Sequence, residues 1–195
     1  MGVCTGNAMT EASIPHFPRL VDHLVARLPT LPLDLALRRF ITSLTERHPS
    51  LFSRLDDQAR KTFLIDPTDV SIAFLLRPDP ALPRLEAVKR APDGTIVAAR
   101  DARIAGPLAA LVGMVHGALD GDALFFSRDI VIEGDTEAVL ALRNAVDDSE
   151  IDLAEEVAAI TGPASKVVAE IFRRAAPVAE RMTGVTLTRA GGTPA

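Results

Sequence analysis

The residues that could carry chemistry are few and scattered. The chain holds four histidines, His16, His23, His48 and His116, and one cysteine, Cys4. No two histidines have the HExxH spacing or another spacing that would bring two imidazoles to one metal. Surface or capping roles account for all four. Asp120-Gly121-Asp122 begins like a calcium loop. The alternate positions that must supply oxygens hold Leu124 and Phe126 instead, so the stretch reads as a turn. A hydrolytic serine would need presentation on a G-x-S-x-G elbow, and none occurs; Ser127, beside Arg128, reads as the start of a strand. The carboxylate pairs Glu155-Glu156 and Asp147-Asp148 fall on helix faces that the pattern gives to solvent, where little tunes a pKa. Neither GxGxxG nor GxxxxGK[ST] is present. The expectation is therefore a binding or carrier protein, not an enzyme, with no catalytic residue, no metal and no cofactor.

Composition narrows the partners. In 195 residues, 48% are hydrophobic, enough for a sizeable core, and Trp and Tyr are absent. That absence removes the usual aromatic anchors of protein hot spots and nucleotide-stacking platforms. A net charge of −5 argues against nucleic acid, which needs a basic footprint. One cysteine allows no disulfide framework within a chain. Arg19 is the first cation and no early apolar run follows it, so no signal peptide is expected. The longest uncharged stretch, residues 104–119, is too short and too rich in Gly and Pro to cross a bilayer. These features predict a cytoplasmic protein.

The elements that would position any site follow from periodicity. Residues 1–14 and 184–195 read as disordered tails, 15–148 as an α+β domain with N-terminal helices, and 149–183 as a C-terminal helical segment. Phe17, Leu20, Leu24, Val25 and Leu28 share one stripe of a first helix that Pro29 and Pro32 end. That stripe either packs on the domain or forms an amphipathic foot on a membrane surface. Helices are expected over 33–47 and 49–59, with Phe40 on the inner face of the first. Strands are expected over 61–65, 70–77, 84–89 and 95–100, the last two joined by a hairpin turn at Asp93-Gly94. Ile72 and Phe74 share a face of the second strand. A helix over 107–116 places Pro107 in its first turn and Leu108, Leu111, Val112 and Val115 inward. A strand over 127–133 stops at Gly134, and Asp135 caps a helix with Leu142 and Val146 on its stripe. Helices over 152–160 and 164–182 complete the chain. The order predicts helices gathered on one face of a mostly antiparallel sheet built from a four-strand meander plus one later strand.

The signature around the last strand resembles a known family. Asp122, Leu124, Phe125, Phe126, Arg128, Ile130 to Asp135, Thr136 and Glu137 are similar to the D-x-L-F-F-x-R-x-(I/L)-V-I-E-G-D-T-E phrase of UbiT-type accessory factors of bacterial ubiquinone biosynthesis. These belong to the sterol-carrier-protein-type lipid-binding domains. The resemblance implies a five-stranded sheet with helices on one face, enclosing an apolar tunnel. It implies binding of polyprenylated quinone precursors, or phospholipid, and their presentation to UbiU/UbiV-type iron–sulfur hydroxylation proteins in oxygen-independent synthesis. Such a protein would sit in the cytoplasm with a transient, peripheral association with the inner membrane. The candidate lining is Phe40, Ile72, Phe74, Leu108, Leu111, Val112, Val115, Leu124, Phe125, Phe126, Ile130, Ile132, Leu142 and Val146; each also suits ordinary core packing. Phe125 and Phe126, two rings at a turn, suit a mouth. An alternative reading stays open: a packed scaffold whose terminal amphipathic helices recruit enzymes or form a homodimer.

Overall fold

The computed structural model describes residues 30–91, 93–115, 128–149, 151 and 156. Expectations for the two tails, the 17–28 helix, Leu124 to Ser127 and, apart from Ile151 and Glu156, the segment beyond 149 lie outside the described residues.

Helix α1 spans Thr30–Arg47. Pro32 falls in its first turn, where the missing N–H has no intrahelical partner to lose. Ile41 and Leu44 are buried, while Arg38, Arg39, Glu46 and Arg47 are exposed, as the stripe requires. Pro49 starts α2, Pro49–Arg54. The single helix expected over 49–59 breaks after Arg54: Asp56 takes a left-handed φ of 45°, and a 3-10 turn, Asp56–Arg60, follows. The break lets both Leu55 and Ala59 face inward.

Five strands follow: β1 Phe63–Pro67, β2 Ile72–Arg77, β3 Arg84–Lys89, β4 Ala102–Gly106 and β5 Val131–Gly134. Between the last two lies α3, Leu108–Val115, and after β5 comes α4, Thr136–Ser149. The sheet order is β3-β2-β1-β4-β5. Three of its ladders are antiparallel, and β1 pairs with β4 in parallel. The architecture is α+β with a mixed, mostly antiparallel five-stranded sheet.

Two strand expectations need correction. Residues 95–100 are not a strand, and Asp93-Gly94 joins no hairpin of the sheet. A local turn does form there: Gly94 has φ +83°, and the Asp93 carboxylate accepts from the Thr95 N–H at 3.0 Å and the Thr95 hydroxyl at 2.7 Å. Those two bonds also hold the Asp93 carboxyl below its usual range. The fourth strand is Ala102–Gly106 instead, and it lies beside β1, not β3. The β3–β4 connection must therefore carry the chain back along the sheet and across two strands, which a tight turn cannot do. β5 is also shorter at its start than expected, because Arg128 takes a left-handed φ of 64°.

Register assigns the faces. Phe63 opposes Leu76 and Ala102, Ile65 opposes Phe74 and Ile104, and Ile104 opposes Ile132. Directly opposed residues share a face. Phe63, Ala102 and Ile104 cluster with Ile41, Phe52, Leu111, Val139 and Leu142, so all four helices contribute to the core on this side. The other face carries Asp66, Arg103 and Glu133. Asp66 is 1% exposed and sits between two guanidiniums. Arg103 donates to its Oδ2 through Nε at 2.8 Å and Nη2 at 2.6 Å, and through Nη1 to Glu133 at 2.7 Å. Arg90 pairs with Oδ1 and donates to the Pro67 carbonyl at 2.8 Å.

The start of α4 is fastened by its neighbours. Gly134 has φ +85°, and a Cβ there would collide with the Asp101 carbonyl oxygen. That carbonyl accepts from the Asp135 N–H at 3.0 Å, and the Asp101 carboxylate accepts from the Thr62 N–H at 2.7 Å. Asp135 caps α4 as expected, accepting from the Ala138 N–H at 3.0 Å, with Lys61 at 3.2 Å. Pro107 precedes α3 without entering its first turn. A proline has no capping side chain, and Asp69 does the work from the β1–β2 turn, accepting from the Leu108 N–H at 2.8 Å.

Three outcomes test this arrangement. Gly134→Ala should lower the urea midpoint by about 2–3 kcal/mol of stability, since it combines a forced positive φ with a steric clash. Asp66→Asn should cost about 2–3 kcal/mol by leaving two guanidiniums short of their counter-charge. The helix-start and Lys61 interactions depress the Asp135 carboxyl in the folded state. Its stabilising effect is then present in full above the unfolded value and is lost as pH falls through the folded one. Asp135→Ala should lower the thermal midpoint at neutral pH, and that difference should shrink as pH drops below about 4.

Candidate functional site

In a sheet with one face against helices, the middle of the central strand is normally the best-buried place. Here it is not. In β1 every residue is buried except Ile65, which is partly exposed, while its charged neighbour Asp66 is sealed. Phe74, directly opposite Ile65 on β2, is partly exposed as well. Both lie on the helix-facing side. Phe63 beside them is 0% exposed and Ile104 is buried, so the helices do close over the rest of that face. Phe40 from α1, Met114 from α3 and Leu76, Leu85 and Ile132 from the sheet are also only partly buried against the core. Together these form a band of partly exposed apolar side chains on the helix-facing side of the sheet. Leaving Ile65 and Phe74 partly open forgoes about 1 kcal/mol each of burial.

Most of the sheet's charge lies on the face opposite this band. By register, the helix-facing side of the strands holds Phe63, Ile65, Ile72, Phe74, Leu76, Leu85, Ala87, Ala102, Ile104 and Ile132, with Lys89 at one corner as its one ionisable residue. Asp66, Arg77, Arg84, Glu86, Arg103 and Glu133 point the other way. Away from Lys89 such a face is apolar, which suits contact with an aliphatic chain. Among the described residues no three His, Cys, Asp or Glu side chains gather as a metal site. No helix among them is long and apolar enough to cross a membrane.

The expected lining divides accordingly. Leu111, Ile130 and Leu142 are buried in one core cluster, with Phe40, Ile132 and Val146 packed against it. Ile72 is buried at the start of β2, while Phe74, Leu108, Val112 and Val115 are partly exposed. Leu124, Phe125 and Phe126 lie outside the described residues, as do Phe17, Leu20, Leu24, Val25 and Leu28. Sequence reasoning did not single out as candidates Ile65, Leu76, Leu85 and Met114, which are partly buried against the same core. For Ile65 the alternation with Asp66 was the available signal.

One carboxylate lies where the pattern did not put it. Glu156 is not on a solvated face: it is 2% exposed. Its Oε1 meets His48 Nε2 at 2.9 Å and Arg47 Nη1 at 3.1 Å. The pair ties the chain near 156 to the α1–α2 junction, and it gives His48 a structural partner.

Residues 43–147 match the model of the SCP-2 sterol transfer family. No curated protein matches the chain. Among solved structures, similar folds occur in a protein described as "UbiJ-SCP2 Ubiquinone synthesis protein", at 17% identity over 70% of this chain and 97% of that one, with a TM-score of 0.44. They occur also in a sterol carrier protein 2, at 16% identity over 66% and 95%, TM-score 0.42. A third is the apo sterol carrier protein 2 of Yarrowia lipolytica, at 10% identity over 60% and 89%, TM-score 0.41.

Lining and core should respond differently to truncation. Phe63→Ala should cost about 3–5 kcal/mol in urea unfolding, as a fully enclosed ring does. Phe74→Ala should cost about 1–2 kcal/mol, because its side chain is only partly buried. Equal costs would mean that Phe74 is ordinary core.

Proposed function

The chain belongs to the SCP-2 sterol transfer family, and from that membership we propose that the apolar band of its sheet holds the apolar tail of a lipid while the protein carries out no reaction of its own. The observation that carries the reading is the partly exposed pair Ile65 and Phe74 at the centre of a sheet face whose one ionisable residue, Lys89, lies at a corner. The finer reading is supported by the signature over Asp122 to Glu137. On it, the lipid is a polyprenylated quinone precursor or a phospholipid, and the protein serves ubiquinone synthesis. It presents the ring to UbiU/UbiV-type hydroxylation proteins and visits the membrane only transiently.

Energetics define what such a carrier contributes. Removing one five-carbon isoprene unit from water is worth about 4 kcal/mol, at roughly 0.8 kcal/mol per carbon. A bilayer interior is equally apolar, so transfer from membrane to protein is near neutral. The gain is access: the tail stays out of water while the ring is offered to an enzyme. Tight binding would work against release.

Native mass spectrometry of protein purified without detergent, followed by lipid extraction, tests the proposal. A bound polyprenyl or acyl lipid is expected. Phe74→Ala should weaken retention about ten-fold, the equivalent of roughly 1.4 kcal/mol of lost contact. Ile65→Asp should abolish retention by placing an unpaired charge against the tail. A protein that neither carries nor takes up any lipid would overturn the reading. Recovery of sterol alone would overturn the quinone assignment and leave the carrier.

A further inference from the structure

The β2–β3 hairpin ends in a turn that the core does not need. Pro78 is buried, and Asp79 shapes the backbone beyond it. The Asp79 carbonyl accepts from the Leu82 N–H at 3.1 Å, and its Oδ1 accepts from the Ala81 N–H at 3.0 Å. Pro80 and Pro83 restrict the backbone further. The turn so fixed holds Leu82 outward, 55% exposed. Just behind it, Arg77 and Arg84 stand directly opposite each other as the last pair of the ladder. Like charges at such a pair repel and cost stability. Arg77 has Asp79 at 4.0 Å, and Arg84 has no ion pair among the described residues. A constrained turn thus keeps an aliphatic side chain in water beside two crowded guanidiniums. Both costs are relieved by one kind of surface, anionic outside and apolar beneath.

The partly exposed band leads to the same place. Along the helix-facing side of β2, Ile72 is buried, then Phe74 and Leu76 are partly exposed. Leu85, opposite Leu76 on β3, is partly exposed too. The accessible apolar track that starts at Ile65 and Phe74 therefore runs outward to the hairpin tip.

We propose that this tip docks on an anionic bilayer surface. Leu82 enters the acyl boundary, Arg77 and Arg84 meet lipid phosphates, and the outer end of the apolar track is set against the membrane. The placement rests on the carrier reading above, and it puts membrane contact on the hairpin in addition to any contact made by the N-terminal stripe.

Flotation with vesicles of phosphatidylcholine alone, and of phosphatidylcholine mixed with phosphatidylglycerol, tests it with the full chain. Association with the mixed vesicles, weakened by salt, is expected. R77Q/R84Q should reduce it about five-fold for each arginine removed, and Leu82→Ser about ten-fold. The thermal midpoint of R77Q/R84Q should hold or rise, because a repulsion is removed. Lipid uptake from detergent micelles should persist in every variant. Undiminished binding of the combined variant to mixed vesicles would overturn the proposal, as would failure of the unaltered protein to bind them. A change of oligomeric state on Leu82→Ser, with vesicle binding intact, would assign the tip to a second copy and overturn it equally. A protein that floats through these residues but takes up no lipid would sustain the docking surface and overturn the carrier reading.

Discussion

The sheet depends on one buried carboxylate. Asp66 receives Arg103 from β4 and Arg90 from just beyond β3, and Arg103 reaches on to Glu133 of β5. No short turn holds β1 to its parallel neighbour, so side chains must help to fix their alignment. A slip of one residue would exchange the faces of the whole strand, moving Asp66 into the apolar side and Ile65 out of it. The ion cluster makes that exchange costly, since it would strand a charge among Ile104, Leu111 and Leu142. What looks like a stabilising salt bridge is better understood as a device that sets register.

That register makes the other face usable. With charge confined to one side, the helix-facing side can be left incompletely covered without admitting a group that would bind water tightly. The same economy appears at the outer edge. The Ala87 N–H of β3 is answered by the Asp34 carboxylate of α1 at 3.2 Å. A helix thereby covers part of a strand edge that would otherwise invite another chain, while its Phe40 packs partly buried against the core. Rigidity is concentrated in polar fastenings at the periphery: Asp34, Asp69 with Leu108, and Asp101 with Thr62 and Asp135.

Much of this was legible from the residues. Gly134 and Asp135 announced a stop and a cap, and both do what their chemistry suggests. The period-two run through Ile72, Phe74 and Leu76 identified a strand and its inner face. The parallel pair was not legible. Residues 95–100 include Thr95, Ile96 and Val97 and follow an Asp-Gly turn, so local rules favour a strand there over Ala102–Gly106, which is made largely of small residues. Those small residues are required by position. Ala102 and Ala105 are buried in a strand paired on both sides, and a Cβ at Gly106 would come within 2.6 Å of the Asp129 carbonyl oxygen. Tertiary crowding, invisible to propensity, outweighed it. Glu156 escaped for a related reason: its partner His48 is 108 residues away, and nothing near it in sequence hints at burial. The partly exposed band was legible only as a list of apolar candidates, because periodicity separates inside from outside but cannot separate fully from partly buried.

The parallel pairing has a kinetic consequence. Joining β2 to β3 closes only the short turn between Arg77 and Arg84, whereas bringing Arg103 to Asp66 closes a loop of 37 residues. Loop-closure entropy favours the near pairing first. On loop entropy alone, β1, β2 and β3 would align, with Arg90 on Asp66, before Arg103 arrives. Until β4 arrives, the exposed side of β1 is an unpaired edge in the middle of the future sheet. Its pairing with β4 is what removes that edge from reach of another chain.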